Sequence, residues 1–412
     1  MTYNDPHMQT ESHHTFDGLG LAPKLIEILD KLKFKHPTPI QHKAITPALE
    51  GKDLIGIAQT GTGKTLSFAL PIIQRLSIMD KGRALVLVPT RELAIQVNET
   101  FLKIAPLYGT LRATVLIGGA SMGLQIQALR KHPRILIATP GRLIDHLEQH
   151  TLTLGDVAIL VLDEADRMLD MGFEPQVRRI LRSVPKERQT LFYSATMPKP
   201  ILDMAAQHMK LPVCVEIAKS GATPERVAQE LYIVSRERKK ELLKKLLAQY
   251  HGSVLIFCRT KLDAKRIAWQ LKEAGVNAAQ IHSDRTLAQR REALEGFKKA
   301  KYRVLVATDI AARGIDVTGI EVVVNYDLPE EAENYVHRIG RTGRAGHEGR
   351  AISFATPDQG EDVRRIERLM RKPLPILSHP EVPAELFYEN RVQPKPGFKS
   401  SRVRSFGSLR RR

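Results

Sequence analysis

Residues 53–76 read DLIGIAQTGTGKTLSFALPIIQRL. A short apolar run passes into a turn holding two glycines and a lysine, and then into apolar residues at helical spacing. Strand, Gly-rich turn and helix in that order make a phosphate-binding loop. Gly61 and Gly63 let the backbone curl so that its N–H groups face anion oxygens. Lys64 reaches the β and γ phosphates of a nucleotide, and the Thr65 hydroxyl binds Mg²⁺. Ala58, Gln59, Thr60, Gly61, Thr62, Gly63, Lys64 and Thr65 are the candidate nucleotide residues. Ala58 stands where the general pattern has glycine. The plainer reading is a turn that holds a lysine by chance, and the flanking strand and helix weigh against it.

The same punctuation recurs along the chain. ALVLVPTRE, TVLIGG, ILIATPGR, ILVLDEAD and TLFYSAT are apolar runs that end abruptly in small or polar residues, with helix-like segments such as Leu143–Leu147 and Val177–Leu181 between them. Continuous apolar strands alternating with helices predict a mostly parallel sheet covered on both faces. Residues 218–228 lack large apolar side chains and read as a short linker. The alternation then resumes with SVLIFCRT, NAAQIHSD, RVLVATD, EVVVNYDLP and AISFATP. Two α/β domains follow, at 16–217 and 229–376. Residues 1–15 and a basic tail at 377–412 read as disordered; from Arg391 to Arg412 the chain has eight Lys and Arg and no acid. The single tryptophan, Trp269, lies in a helix-like stretch and is assigned to core packing. Ligands of open parallel sheets sit beyond the carboxyl ends of the strands, where the unusual residues of this chain cluster.

The chain has 412 residues, 42% hydrophobic and 26% charged, with a net charge of +18. The excess of Lys and Arg favours a polyanionic partner, nucleic acid or an anionic membrane surface, although a basic protein that is merely well solvated has the same balance. Two cysteines give neither a disulfide framework nor a Cys/His metal spacing, which suits a reducing, cytoplasmic setting. No signal-peptide core and no transmembrane run is present.

In ILVLDEADRML, Ile159–Leu169, four apolar residues run into Asp163, Glu164 and Asp166. Burying carboxylates at the end of a core strand is costly unless a cation is there to meet them. A Mg²⁺–nucleotide site needs such a carboxylate, and Asp163 fits that role together with Thr65. Glu164 can orient and deprotonate an attacking water. Asp166 is better placed to bridge to other segments. Taken alone, these acids could simply open a helix, where negative charge is favoured.

Asp163-Glu164-Ala165-Asp166 spells DEAD, and with the phosphate loop the chain resembles the DEAD-box RNA helicases from about Phe16 to about Phe354. The resemblance implies two RecA-like domains, ATP and Mg²⁺ as cofactors, and RNA-stimulated ATP hydrolysis coupled to local unwinding of short duplexes or RNP remodelling. The wording of the motifs, the compact size and the lack of a folded C-terminal RNA module look most like the bacterial RhlE-type branch. FKHPTPIQ, from Phe34, looks like the family's Q motif. By that likeness Gln41 would read the adenine edge, Phe34 would stack on the base, and Phe16 matches the upstream aromatic. PTREL (Pro89, Thr90, Arg91), Gly118-Gly119 and TPGR (Thr139, Pro140, Gly141, Arg142) match RNA-contact motifs, although TPGR alone is also a good helix cap. SAT, with Ser194 and Thr196, resembles the segment that couples hydrolysis to strand separation, and Asp166 and His337 are assigned to the same coupling.

VATDIAARGID and HRIGRTGR match motifs of the second domain. Arg341 and Arg344 would be arginine fingers on the γ-phosphate, catalytic together with Lys64, Asp163 and Glu164. Asp316 would contact the ribose, with Gly314 beside it. Thr260, Arg290, Thr308 and Asp309 would face RNA. Leu287 stands where the family often has Gln, which puts one RNA contact in doubt, with Gln289 nearby as a substitute. Aromatics are only 5% of the chain, so RNA should be held by phosphate and 2′-OH rather than by stacking. The resemblance also implies single-stranded or short duplex RNA as partner, RNP, RNA-decay or ribosome-assembly proteins beside it, no membrane, and a monomer. The rival readings are an ATP-gated RNA clamp or chaperone that unwinds little, and a DNA translocase.

Overall fold

The computed structural model describes residues 15–58, 61–109, 111–217, 227–312, 320–343 and 349–388. The first half holds β1 (Leu54–Ile57), β2 (Arg83–Leu87), β3 (Ala113–Leu116), β4 (Ile135–Ala138), β5 (Val157–Leu162), β6 (Gln189–Ser194) and β7 (Val213–Glu216). Its helices are α1 (Pro23–Lys31), α2 (Pro39–Leu49), α3 (Lys64–Ile78), α4 (Arg91–Tyr108), α5 (Met122–Leu129), α6 (Pro140–Glu148), α7 (Ala165–Asp170), α8 (Glu174–Ser183) and α9 (Lys199–His208). The second half holds β8 (Val227–Ile233), β9 (Val254–Cys258), β10 (Ala278–Ile281), β11 (Val304–Thr308), β12 (Val322–Asn325), β13 (Gly349–Ala355) and β14 (Ile376–Leu377). With them come α10 (Lys239–Gln249), α11 (Lys261–Glu273), α12 (Leu287–Lys298), α13 (Asp309–Ala312), α14 (Ala332–Ile339) and α15 (Gly360–Met370).

Each half builds one seven-stranded sheet, in the orders β3-β4-β2-β5-β6-β1-β7 and β10-β11-β9-β12-β13-β8-β14. Subtracting seven from the second order reproduces the first. The halves are topological copies, a repeat that shows no period in the sequence. Every strand pair is parallel. The predicted fold class is therefore the observed one.

The strands stay in place because both faces are covered. In β5, Ile159, Leu160, Val161 and Leu162 are wholly buried, and burial of such side chains contributes roughly 1.5–3 kcal/mol each. That gain offsets the cost of carrying Asp163 and Glu164 into the protein. Helix starts are set by local chemistry. At α2, Thr38 and Gln41 form a capping box and Pro39 opens the helix; at α4 the Thr90 hydroxyl accepts the Leu93 N–H.

Three expectations need correction. Trp269 is 61% exposed, because the inward stripe of α11 is Ala264, Ile267, Ala268 and Leu271, and Trp269 falls off it. The chain is also ordered well past Ile376. Leu377 pairs in β14, Val382 is buried, the Glu385 N–H donates to the Ile233 carbonyl, and the Tyr388 N–H donates to the Pro357 carbonyl. Without this segment β8 would be a bare sheet edge, as β1 would be without β7. Thirdly, β8 begins at Val227, inside the stretch read as linker. The tail from residue 389 and the N-terminal segment through residue 14 lie outside the described residues. No helix among the described residues is long and apolar enough to cross a membrane.

Candidate nucleotide and RNA interface

The carboxyl ends of β1, β5 and β6, neighbours in the sheet, bring the phosphate loop, the DEAD residues and the SAT turn together. Gly63 has φ +91°, and a Cβ on it would lie 2.4 Å from Gln41 Nε2, so only glycine fits there. Gln41 Nε2 donates to the Gly63 carbonyl at 3.0 Å, while its Oε1 accepts the Thr38 N–H at 2.9 Å. Gln41 thus clamps the phosphate loop to the start of α2. Phe34 is 39% exposed and presents an aromatic face; Phe16, expected at the nucleotide, is instead buried in the first-domain core. Gln59 and Thr60 lie outside the described residues, as do Arg344, Gly314 and Asp316. Thr62 and Thr65 are half-buried along the loop.

Lys64 opens α3 and is buried, yet its Nζ makes no hydrogen bond; Asp163 Oδ1 is 3.9 Å away. A buried ammonium and two buried carboxylates without a ligand are expensive. They are the donor set that a metal–polyphosphate complex would complete. Below the loop, Ser67 Oγ donates to the Lys64 carbonyl and lies 2.9 Å from the Tyr193 hydroxyl. This brace under the phosphate loop carries no sequence pattern of its own, and sequence reasoning missed it.

Asp163 donates its N–H to the Leu87 carbonyl and accepts the Glu164 N–H on Oδ1. Burial pushes its carboxyl up to about 6, opposed by Lys64 and reinforced by Glu164. Burial acts the same way on Glu164, but Arg167, Lys64 and Arg341 outweigh it and hold that carboxyl well below the usual range. The neighbours part because Arg167 Nη1 bonds Glu164 Oε2 directly at 2.7 Å, whereas Asp163 has only the more distant lysine. Arg167 was also missed, although its spacing of three from Glu164 on a helix start made the pairing readable. Glu164 sits at φ +53°, ψ 50°, a left-handed conformation rare outside glycine and typical of stored strain at functional positions.

Asp166 gathers the SAT turn. Its Oδ2 accepts from Ala195 N–H at 3.0 Å, Thr196 N–H at 2.9 Å and Thr196 Oγ1 at 3.0 Å, and its own N–H donates to Ser194 Oγ. From the second domain, His337 at the end of α14 lies among Arg167, Asp166, Arg341 and Glu164. Burial first, then Arg167, pulls its pKa down to about 4. Arg341 is buried close enough to depress Glu164.

The other half of the first sheet, β3-β4-β2, carries the expected RNA residues. Arg91 lies over Gly118 and Gly119; a Cβ on Gly119 would meet Arg91 Nη1 at 2.3 Å. Arg142 Nη1 donates to the Ala120 carbonyl at 3.0 Å, tying TPGR to the same loop. Thr139 is the N-cap residue of α6, with Pro140 and Gly141 in the first turn, and Pro89 is buried before Thr90. In the second domain Thr260 caps α11 at the end of β9, and Thr308 ends β11.

Three residues expected at RNA are held elsewhere. Asp309 receives a bidentate fork from the buried Arg338 at 2.6 Å per bond. Gln289 Oε1 accepts the Thr286 N–H as the far half of a capping box on α12, so it is not a free substitute for glutamine at 287. Arg290 is buried in an ion pair with Glu92 across the two domains, at 2.7 Å, and burial raises the Glu92 carboxyl against the pull of this arginine. An arginine that faces an acid in the closed cleft reads, in sequence, like one that faces a phosphate.

Residues 38–204 match the DEAD/DEAH box helicase family model and residues 238–346 the helicase conserved C-terminal domain. The DEAD-box ATP-dependent RNA helicase CshA of Geobacillus kaustophilus is 42% identical over 92% of this chain and 81% of its own length. The chain belongs to the DEAD-box family of ATP-dependent RNA helicases. A second relative, ATP-dependent RNA helicase CshA of Listeria monocytogenes, is 44% identical to this DEAD-box helicase over 89% of its chain and 70% of the relative. Among solved structures, S. cerevisiae Dbp5 bound to RNA and ADP BeF3 superposes with a TM-score of 0.78 at 29% identity, over 88% of this chain and 95% of that one. Mss116p bound to ssRNA and AMP-PNP gives 0.81 at 29%, over 90% and 80%. A DEAD box protein from Methanococcus jannaschii, although 38% identical over 88% and 99%, gives only 0.51. Sequence likeness and superposition run in opposite orders among these three structures.

Proposed function

We propose that this helicase binds the RNA backbone without sequence preference, separates short duplexes locally or remodels RNPs, and couples both to hydrolysis of ATP to ADP and phosphate. The observation that carries the reading is the composite cleft: Arg341 and His337 of one domain stand against Glu164, Asp166 and Arg167 of the other. Lys64 Nζ, which makes no hydrogen bond, and the buried Asp163 fit a Mg²⁺–ATP complex, whose metal Thr65 and Asp163 would hold. When bound, the metal neutralises charge on the β and γ phosphates.

The protein groups then divide the work. Lys64 and the loop N–H groups hold phosphate oxygens, and Gln41 keeps the loop in shape while its remaining amide capacity and the Phe34 ring meet the base. Glu164 positions a water in line, and Arg341, with Arg344, meets charge developing on the γ-phosphate. Asp316 and Gly314 take the ribose side. Arg91, Gly118, Gly119, Thr139 and Arg142 of the first domain, with Thr260 and Thr308 of the second, take RNA phosphates. Asp166, Ser194, Thr196 and His337 pass the state of the nucleotide to the RNA side. Because the finger arginines belong to the other domain, ATPase is expected to be low alone and to rise strongly with RNA; equal rates with and without RNA would overturn the reading.

An ATP-gated clamp uses the same groups, and a strand-displacement assay separates the two readings. A DNA translocase would show ATPase stimulated by DNA as well as by RNA. The RhlE-type placement is supported by the wording of the motifs, whereas the bacterial relatives named above are CshA-type. Cytoplasmic residence is supported by two unpaired cysteines. Monomeric action and RNP, RNA-decay or ribosome-assembly partners follow from the resemblance.

A further inference from the structure

Leu287 opens α12, is half-buried, and packs against the apolar cluster of the first domain. Arg290 follows three residues later on the same side of the helix and pairs with Glu92 of α4. One turn further, Arg291 and Leu294 face Ile95 and Gln96 around a cavity of about 50 Å³. The seam between α4 and α12 is therefore apolar at its start and ionic at its middle, and it exists only while the domains are closed. In an open arrangement the Leu287 side chain is returned to water.

We propose that Leu287 is a positioning residue for the ATPase: an apolar latch that favours the closed state without touching ATP or RNA. Glutamine, the commoner residue here by resemblance, offers an amide that must be desolvated to enter the same seam. Leucine removes that cost and adds burial of a hydrocarbon side chain, a driving force independent of RNA sequence. The proposal rests on the reading that closure assembles the ATPase.

The test uses the full chain with Leu287→Gln, Leu287→Ala and Leu287→Met. Wild-type ATPase is first measured with and without RNA; absence of stimulation would sink the closure reading itself. If stimulation holds, RNA affinity is measured with and without a non-hydrolysable ATP analogue, and ATPase is titrated with RNA. In Leu287→Gln and Leu287→Ala the RNA concentration for half-maximal ATPase should rise roughly three- to tenfold, the worth of part of a leucine's burial. The rate at saturating RNA should stay within about twofold, nucleotide-free RNA affinity should not change, and Leu287→Met should behave as wild type. Unchanged half-saturation would overturn the proposal. Tighter RNA binding by Leu287→Gln alone would overturn it too, since position 287 would then face RNA rather than the first domain. Equal loss of RNA affinity with and without nucleotide would mean a merely structural role in α12, and would also reject it.

Discussion

Two adjacent carboxylates in the DEAD segment have moved in opposite directions: burial raises Asp163, and Arg167 brings Glu164 down against the same burial. Glu164, tied to Arg167, stays ionised; Asp163, facing only Lys64, carries the cost of burial until a cation arrives. Glu164→Gln keeps the size of the side chain and an oxygen acceptor for Arg167 but removes the base. Turnover is expected to fall by about 10²–10⁴-fold while ATP and RNA still bind, as read by single-turnover hydrolysis and by fluorescence binding. Near-normal turnover would move the base elsewhere. Lys64→Ala removes the buried ammonium and should instead weaken nucleotide binding itself, measured by titration with a fluorescent ATP analogue.

At the scale of helices and strands, the two sheets repeat one order, and each divides the work the same way. The expected RNA residues follow β3, β4 and β2 in one sheet and β11 and β9 in the other, while the phosphate loop, the DEAD residues, the SAT turn and the finger arginines follow β1, β5, β6 and β12. Between the halves, α4 and α12 meet through Glu92 and Arg290, both nearly free of solvent. Glu92→Ala would strand a buried guanidinium, a loss of about 3–5 kcal/mol of closure. RNA affinity in the presence of an ATP analogue should fall by two orders of magnitude or more, with part of that loss recovered in the double variant Glu92→Ala, Arg290→Ala; additive losses would mean the pair does not act as a unit. The exposed Trp269 on α11 predicts the emission of a solvated indole, open to iodide quenching, and Trp269→Phe should leave the melting temperature unchanged. Strand positions and site edges were legible because DLIGIAQTGTGKT and ILVLDEADRML mark strand ends by chemistry, whereas the strand order was not. The partners of Asp309, Gln289 and Arg290 were not legible, because a capping contact, an intradomain fork and an interdomain pair use the same side chains as a phosphate contact. Trp269 was misread because one residue of phase decides which face of a helix is inward.

Taken whole, the molecule is two bodies whose joint state depends on protons and salt as well as on ligands. His337 has its pKa lowered to about 4 from an ordinary 6.5, with burial the first cause, so an opening that returned the ring to water would let it take up a proton. Closure is therefore fully favoured above pH 6.5 and weakened as pH falls from there toward 4. At pH 5.5 the His337 contribution should cost about tenfold in RNA affinity measured with an ATP analogue, and His337→Gln should flatten that dependence. Truncation after about Asn390 removes +8 of the +18 net charge. Apparent RNA affinity should fall and its salt dependence flatten, by up to roughly 0.7 slope units per lost single-strand contact, with the ATPase maximum unchanged. Identical slopes would leave the tail without a role in RNA binding. The strand order also bears on how the chain is made. The first sheet is complete once β7 pairs with β1 at Val213–Glu216, so this half has every strand it needs before any of the second is synthesised. The second sheet opens with β8, whose partners are β13, from Gly349, and β14, at Ile376–Leu377. Its first strand must wait, unpaired, for more than a hundred residues of further translation. The first half passes through the same exposure earlier, since β1 waits from Leu54 for β6 at Gln189, so a nascent chain halted inside either half carries an unpaired opening strand, an edge prone to aggregation until its late partners are made.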